Sequence, residues 1–530
     1  MEENPDVKIE INANRQIARA AGQVMLAFVF SNLAGLVRQI LVTNAFGTDA
    51  DIEAFNAANR VAETLFNLVA GGALSSAFIP TFTGLLAKGK RKDAWKLASA
   101  IVNLALLILI LLAILTAIFA PQVVRYILAP GFRYDAFKEP LTIELMRLMM
   151  SSAVVFGLSG LVMGILNSHQ VFFIPALTPS MYQFGLIFGV VVLTPRIGIQ
   201  GLAWGVILGS GLHLILQLPS LFRLKGQYIL TFGVRNPHVW EVARLMGPRF
   251  VGVAVVQLNF LINTYLASYF VEGSVTGVVI AFSLMLMPQA AIAQSIAVAA
   301  MPTFSAQVAL GKLSEMRSSL AKSLRGALLL SIPASFGLML LGKPIVRLLY
   351  QRGEFDAFST ELVSWALLWY SAGLVGHAVV EILSRAFYSL HDTRTPVFIG
   401  VLAMSLNILL SLLFSSQFTR FGLMPHGGLA LANSVATGVE SIILVVLMRQ
   451  RLNGIEGRYI FSGVLRALLA ALVMGCGVWL WISLMVGRAA WIVVLGGVLL
   501  GGALFLVAVI VLRVEEVGTA VGYLRRRVGL

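Results

Sequence analysis

The sequence predicts an all-α polytopic membrane protein of about fourteen transmembrane helices, and three observations carry that prediction. Of 530 residues, 58% are hydrophobic and only 12% are charged, whereas a soluble domain carries about a quarter charged residues. Mean hydropathy is +0.88. Fourteen apolar stretches follow one another along the chain, each near or beyond the roughly 20 residues that cross a bilayer.

The first two segments, 20–46 and 52–86, are joined by the polar turn Gly47-Thr48-Asp49-Ala50-Asp51. Both carry charge: Arg38 in the first, and Glu53, Arg60 and Glu63 in the second. Charge inside a span is costly and normally faces a protein-lined or watery cavity, so this cationic pair suggests a site for something anionic. Gly71, Gly72 and Pro80 interrupt the second helix and are hinge candidates, as are Pro288 and Pro302 farther on. Segments 95–120, 140–166, 174–194 and 199–222 come next; Pro175 and Pro179 predict a kinked or partly interfacial fifth segment. Then follow 240–270, 275–308, 318–342, 359–389, 396–416 and 427–448, and finally 461–486 and 489–513.

An even number of spans puts both termini on one side, and loop charge says which. Lys88-Gly89-Lys90-Arg91-Lys92, then Arg223, Lys225 and Arg235, then Lys312 and Arg317, then Arg449, Arg451 and Arg458, and the tail Arg525-Arg526-Arg527 fall on one face. The opposite loops offer Asp49, Asp51, Arg196, Glu272, Arg420 and Arg488. The positive-inside rule makes the basic face and both termini cytoplasmic. The net charge of +15 is largely this bias, so no nucleic-acid partner is expected. The acidic start, Met1-Glu2-Glu3-Asn4-Pro5, lacks the short apolar core of a cleavable signal peptide. Cys476 is the only cysteine, which excludes disulfides within the chain and cysteine metal clusters.

The chain also repeats. Ile79-Pro80-Thr81-Phe82 returns as Met301-Pro302-Thr303-Phe304, and Val124-Arg125-Tyr126-Ile127 as Val346-Arg347-Leu348-Leu349, both 222 residues later. His169 and His391 keep the same spacing. Six segments separate equivalents, so the repeat is parallel, with its axis along the membrane normal. The expected organisation is an N-terminal lobe, 1–230 (helices 1–6), a C-terminal lobe, 231–455 (helices 7–12), and an added pair, 456–530 (helices 13–14), ending in a basic tail. The two six-helix lobes are expected to face each other around a central cavity.

Arg38 suits a planar, bidentate grip on phosphate oxygens, or else pairs with Glu53 or Glu63. Arg60 and Glu63, three apart on one helical face, either line the cavity or neutralise each other. Arg249 either reaches substrate or anchors at the interface. Glu381, Arg385 and His377 share a face of segment 10 as a structural pair or a site, and His213 and Glu440 stand alone in apolar helices. Gln257, Asn259 and Asn263 are interhelical glue or ligands. No P-loop and no metal-ligand spacing is present. The expectation is a non-enzyme without metal or cofactor, coupled to membrane potential, Na⁺ or H⁺.

Five phrases in order carry a family resemblance: Gly72–Lys92, Leu128-Ala129-Pro130-Gly131-Phe132, Pro175-Ala176-Leu177-Thr178-Pro179, Met246-Gly247-Pro248 and Leu349-Tyr350-Gln351-Arg352-Gly353-Glu354-Phe355. Together the chain resembles the MurJ (MviN) lipid II flippases of the multidrug/oligosaccharidyl-lipid/polysaccharide exporter superfamily. The resemblance implies a multi-pass protein of the bacterial cytoplasmic membrane. It would carry an undecaprenyl-pyrophosphate-linked peptidoglycan precursor from the inner to the outer leaflet by alternating access. The polyprenyl-pyrophosphate glycolipid, the bilayer and cell-wall synthesis proteins are the implied partners. The alternatives are a flippase for another polyprenyl-linked oligosaccharide and a non-transporting scaffold that binds lipid intermediates. The family's substrate-facing positions fall on Asn32, Arg38, Glu53, Asn67 and Ser283 of this chain, so Arg38 is retained while Asn32, Asn67 and Ser283 stand where the family has arginine. Arg60, Arg249 and Arg147 are the expected replacements, or else the substrate differs.

Overall fold

The structure, a computed structural model, describes residues 26–27, 29–68 and 73–514, with only the backbone for residues 73–77, 248 and 249. Gly71, Gly72 and the tail Arg525-Arg526-Arg527 lie outside the described residues, as does the side chain of Arg249. All regular structure among the described residues is helical. Residues 29–46 form α1; α2 is Ala50–Phe66, α3 Ala73–Ala87, α4 Arg91–Ile118, α5 Lys138–Ser168, α6 Phe173–Phe188, α7 Gln200–Ile215 and α8 Pro237–Ala267. Then come α9 Ser274–Gln289, α10 Ser295–Ala309, α11 Leu313–Tyr350, α12 Ala357–Ser389, α13 Arg394–Arg420, α14 His426–Arg451, α15 Gly457–Leu484 and α16 Ala490–Val511.

Twelve stretches among the described residues are long and apolar enough to cross a membrane. The first predicted segment contains α1, and the second contains α2 and α3. The fifth segment is a full span. Pro179 sits inside α6, and a wide turn at Gly189–Leu193 carries the helix on through Thr194–Ile197. α11 runs far past the predicted 318–342, because 38 residues with Pro333 and Pro344 inside stay helical.

Helix ends follow local chemistry. Asp51 and Glu53 sit in the first turn of α2, where carboxylates complement the helix dipole. Asn236 caps α8 by accepting from His238 N, with Pro237 in the first position. Asp356 caps α12. The Ser359 N–H, donating to its Oδ1 at 2.7 Å, holds that carboxyl below the usual carboxylate range.

The described residues divide into two packing units, with the break between Tyr269 and Phe270. In the first, α5 lies among α2, α3, α4 and α7, and α6 packs along α7. In the second, the repeat-equivalent α12 lies among α9, α10, α11 and α14, and α13 packs along α14; α15 and α16 lie against α11. The match extends to single residues. α3 and α10 begin at 73 and 295 and end at 87 and 309, 222 apart at both ends. The turns that follow share backbone angles, with φ +70° at both Gly89 and Gly311. Phe82 and Phe304, equivalent in the repeat, are both fully buried in their unit's core.

The predicted lobe boundary at 230/231 and the packing boundary differ by one helix. α8, seventh in the repeat, lies against α2, α3 and α4 and so belongs to the first unit. Its end is fastened by the loop after α4. Gly131 N donates to Ser268 Oγ at 3.1 Å, and a Cβ on Gly131 would stand 2.1 Å from Ser268 O. Only glycine fits there, which gives a physical reason for the Leu128–Phe132 phrase.

Helices α6 and α7 meet with nothing between their backbones. A Cβ at Gly185 would lie 2.3 Å from Gly209 Cα, and one at Gly189 would lie 2.8 Å from Gly205 Cα. Glycines four apart on both helices (185 and 189; 201, 205 and 209) make this close approach, the mode that lets helices associate in lipid through van der Waals contact.

Candidate functional site

Three helices of the first unit bring polar groups to one place. On α2, Arg60 Nη1 donates to Glu63 Oε2 at 3.0 Å, and Asn59 Nδ2 donates to the other carboxylate oxygen at 2.9 Å. The Arg60 guanidinium also sits 4.9 Å over the Phe260 ring of α8. The Tyr182 hydroxyl of α6 lies within electrostatic reach of Glu63, Arg38 and Asn59.

Arg38, half-buried on α1, is held only lightly. Its Nη2 donates to Gln39 Oε1 at 3.2 Å, and its Nε is buried with no hydrogen-bond partner. One turn earlier, Gly35 faces Gln183 of α6, whose Nε2 would lie 3.5 Å from a Cβ there. Gln183 Oε1 is likewise buried without a partner. An unfilled cationic donor and an unfilled neutral acceptor are therefore mounted on facing helices. That pairing suits a ligand carrying an oxyanion beside hydroxyl or amide donors.

The wall behind this site is closed. Phe156 of α5 packs against Phe66 at 5.3 Å, Tyr182 at 5.0 Å and the His213 ring at 5.5 Å. His213 Nδ1 bonds the Ser159 hydroxyl at 2.6 Å, and Gln217 Nε2 donates to the same Ser159 Oγ at 2.6 Å. His213 is thus a satisfied core residue. Ser159, Tyr182, Gln183 and Gln217 carry no charge and stand among apolar neighbours, so no sequence signal separated them from ordinary interhelical polar residues.

Glu53 requires a correction. It was expected to face a substrate cavity, but it is 2% exposed and its Oε2 accepts from Lys138 Nζ at 2.8 Å. Lys138 is 6% exposed and also lies 5.4 Å over the Phe132 ring. Arg125 and Glu139 form a second ion pair beside it. Glu53 therefore ties α2 to the start of α5, because a buried carboxylate must be paired.

Asn32 is exposed, and Asn67 is half-buried at the C-cap of α2. Ser283 belongs to the second unit, where its hydroxyl turns back onto Val279 O at 2.9 Å. Arg147 donates to the Ala117 carbonyl at 3.0 Å. In α12, Glu381 and Arg385 form a pair at 2.9 Å, and His377 bonds Asn433 Oδ1 at 3.1 Å. Pro80, Pro288 and Pro302 each lie inside a helix, and Pro288 is followed by the wide turn Ala290–Gln294. Among the described residues, no group of three or more His, Cys, Asp or Glu is placed to hold a metal ion.

Comparison with known proteins bears on what this site serves. The profile of the family described as "Lipid II flippase MurJ" matches residues 42–499. A "Probable lipid II flippase MurJ" of Buchnera aphidicola is 30% identical over 455 residues, covering 85% of this chain and 87% of the relative. The "Lipid II flippase MurJ" of Burkholderia cenocepacia is 30% identical over 453 residues, covering 83% and 84%. Among solved structures, "Lipid II flippase MurJ, inward closed conformation" superposes with a TM-score of 0.79 at 25% identity, over 92% of this chain and 98% of that one. An inward-facing multidrug-resistance transporter of the MATE family and MOP superfamily matches with a TM-score of 0.64 at 15% identity, a likeness of fold.

Proposed function

Because the chain belongs to the MurJ lipid II flippase family, we propose that it turns lipid II across the bacterial cytoplasmic membrane and that Arg38 grips the pyrophosphate. The supporting observation is the Arg38 guanidinium itself, with a buried Nε that has no partner and a planar fork suited to phosphate oxygens. Arg60, engaged by Glu63, holds the neighbouring carboxylate in place. A pyrophosphate cannot enter hydrocarbon bare, since an unpaired buried charge costs several kcal/mol. The chain must therefore shelter the headgroup and open the site to the two leaflets in turn, while the polyprenyl tail stays in lipid.

Purified protein in liposomes loaded with fluorescent lipid II tests this. Protein-dependent transfer between leaflets is expected, faster with an inside-negative potential that draws the emptied cationic site back. Failure on lipid II with transfer of another polyprenyl-linked glycan would show that the family's substrate does not apply here. Pro80, Pro288 and Pro302, each inside a helix, are the proposed hinges for such opening.

The proposed orientation follows loop charge, with both termini cytoplasmic. Fusions of a cytoplasm-active reporter after Lys92, Arg235, Lys312 and Arg458 should give signal, and those at Asp49, Arg196 and Glu272 should be silent. Signal at Asp49 would reverse the orientation and the leaflet of loading.

A further inference from the structure

The linker between α7 and α8 does not simply cross the surface. After a short helix, Leu218–Arg223, residues 225–236 run without regular structure alongside α4. Arg91, at the start of α4, donates to Leu224 O. Gly226 is pressed on the Trp95 ring, leaving no room for a Cβ. Ile229 N donates to Ser99 Oγ at 3.1 Å, and Asn103 Nδ2 donates to Thr231 O at 2.8 Å. Tyr228 Oη donates to Asn103 Oδ1. The chain then turns at Gly233, φ +57°, beside Ala100, and returns to a recess that Lys96 and Arg235 line together. Its partners on α4 thus run 91, 95, 99, 103 and back to 100 and 96. Twelve residues of helix at 1.5 Å each make that descent about 18 Å.

Asn103 lies well inside a helix that qualifies as a membrane span. Backbone at that depth is tolerated only when its polar groups are satisfied by protein. Ser99 and Asn103, both buried polar residues of α4, take up the Ile229 N–H and the Thr231 carbonyl. The side chains on the free face fit the same surroundings. Leu230, Phe232 and Val234 alternate along the strap, and Leu230 at its tip is 81% exposed. Exposed Leu107, Ile108 and Leu111 continue the apolar surface along α4. Arg223, Lys225 and Arg235 stand at the two upper ends, where lipid phosphates would be.

We infer that residues 225–236 form a re-entrant strap whose tip is buried in the acyl region of one leaflet and held there by Ser99 and Asn103. Among the described residues of the second unit there is no linker of comparable length. There Ala321 and Arg325 occupy the positions 222 after Ser99 and Asn103, and the matching linker is only the short stretch 452–456. The inference is independent of which glycolipid is carried.

Spin labels on single cysteines in a Cys476→Ala background test it in proteoliposomes. Labels at positions 227, 228, 230, 232, 234 and 235 are compared for collision with oxygen, which partitions into lipid, and with a nickel chelate, which stays in water. The expected profile has its highest oxygen-to-nickel ratio at 230, falling toward both ends, with position 235 open to nickel. Nickel access throughout would put the strap in water, and protection from both reagents would mean that another chain covers it; either result overturns the inference. Asn103→Ala should raise nickel access at position 230, the released population growing on the order of tenfold for two lost hydrogen bonds. An unchanged depth profile in that variant would overturn the role given to Asn103.

Discussion

Arg38→Ala is expected to abolish lipid II transfer in liposomes, a loss of at least about a hundredfold, while leaving the protein folded. The size follows from what the guanidinium would face. Losing one partner of a buried, hydrogen-bonded charge pair costs about 3–5 kcal/mol, and each 1.4 kcal/mol is a factor of ten. Folding should be spared, because Arg38 contributes one hydrogen bond to its neighbour Gln39 and its Nε bonds nothing. Lysine at this position should restore only part of the rate, since a point charge cannot engage two oxygens as a fork does. Normal transfer by Arg38→Ala would remove the pyrophosphate grip from the proposal.

Lys138→Ala should do the reverse, unfolding the protein rather than silencing a folded one. It removes the ammonium that lies 2.8 Å from the Glu53 carboxylate, a group only 2% exposed. A loss of about 3–5 kcal/mol is expected, read as a marked drop in thermal stability and in recovery of monodisperse protein. The double variant Glu53→Gln, Lys138→Met should recover most of the stability, because removing both charges also removes their desolvation cost. If Lys138→Ala melts like the wild type, Glu53 has access to water and its assignment as a structural tie fails.

Much of this molecule was legible in the sequence because lipid imposes a strict rule. Each of the fourteen apolar stretches holds helix among the described residues, since a bilayer leaves backbone polar groups no partner but the helix itself. The repeat was legible for a related reason: Pro80 and Pro302 mark helices that begin and end 222 residues apart. Helix α8 shows the limit of that logic, for a repeat records ancestry, whereas Gly131 against Ser268 and Phe260 against Arg60 record what α8 now packs on.

The site was legible only as charge. Arg38 and the Arg60–Glu63 pair stood out in apolar helices. Glu53 stood out equally, yet its partner Lys138 is 85 residues away and no local spacing could announce it. Gln183 was missed because a neutral amide in a membrane helix carries no distinguishing pattern; its significance comes from Gly35 across the contact. Ser99 and Asn103 carry no pattern in the sequence that sets them apart from other polar residues of a long span. Their purpose became apparent only once the linker was seen beside them.

The glycine contact between α6 and α7 has a mechanical consequence. Two helices whose backbones touch along three turns have no side-chain layer to shear, so they tilt as one plank and do not slide past each other. Tyr182 and Gln183 ride on one of the two helices and His213 on the other, at fixed register, with Tyr182 and His213 both against Phe156. A ligand held between α1 and this pair would then meet Arg38 on one side and an amide and a phenol at fixed spacing on the other. The grip on an anion would tighten or slacken with the position of a single helix.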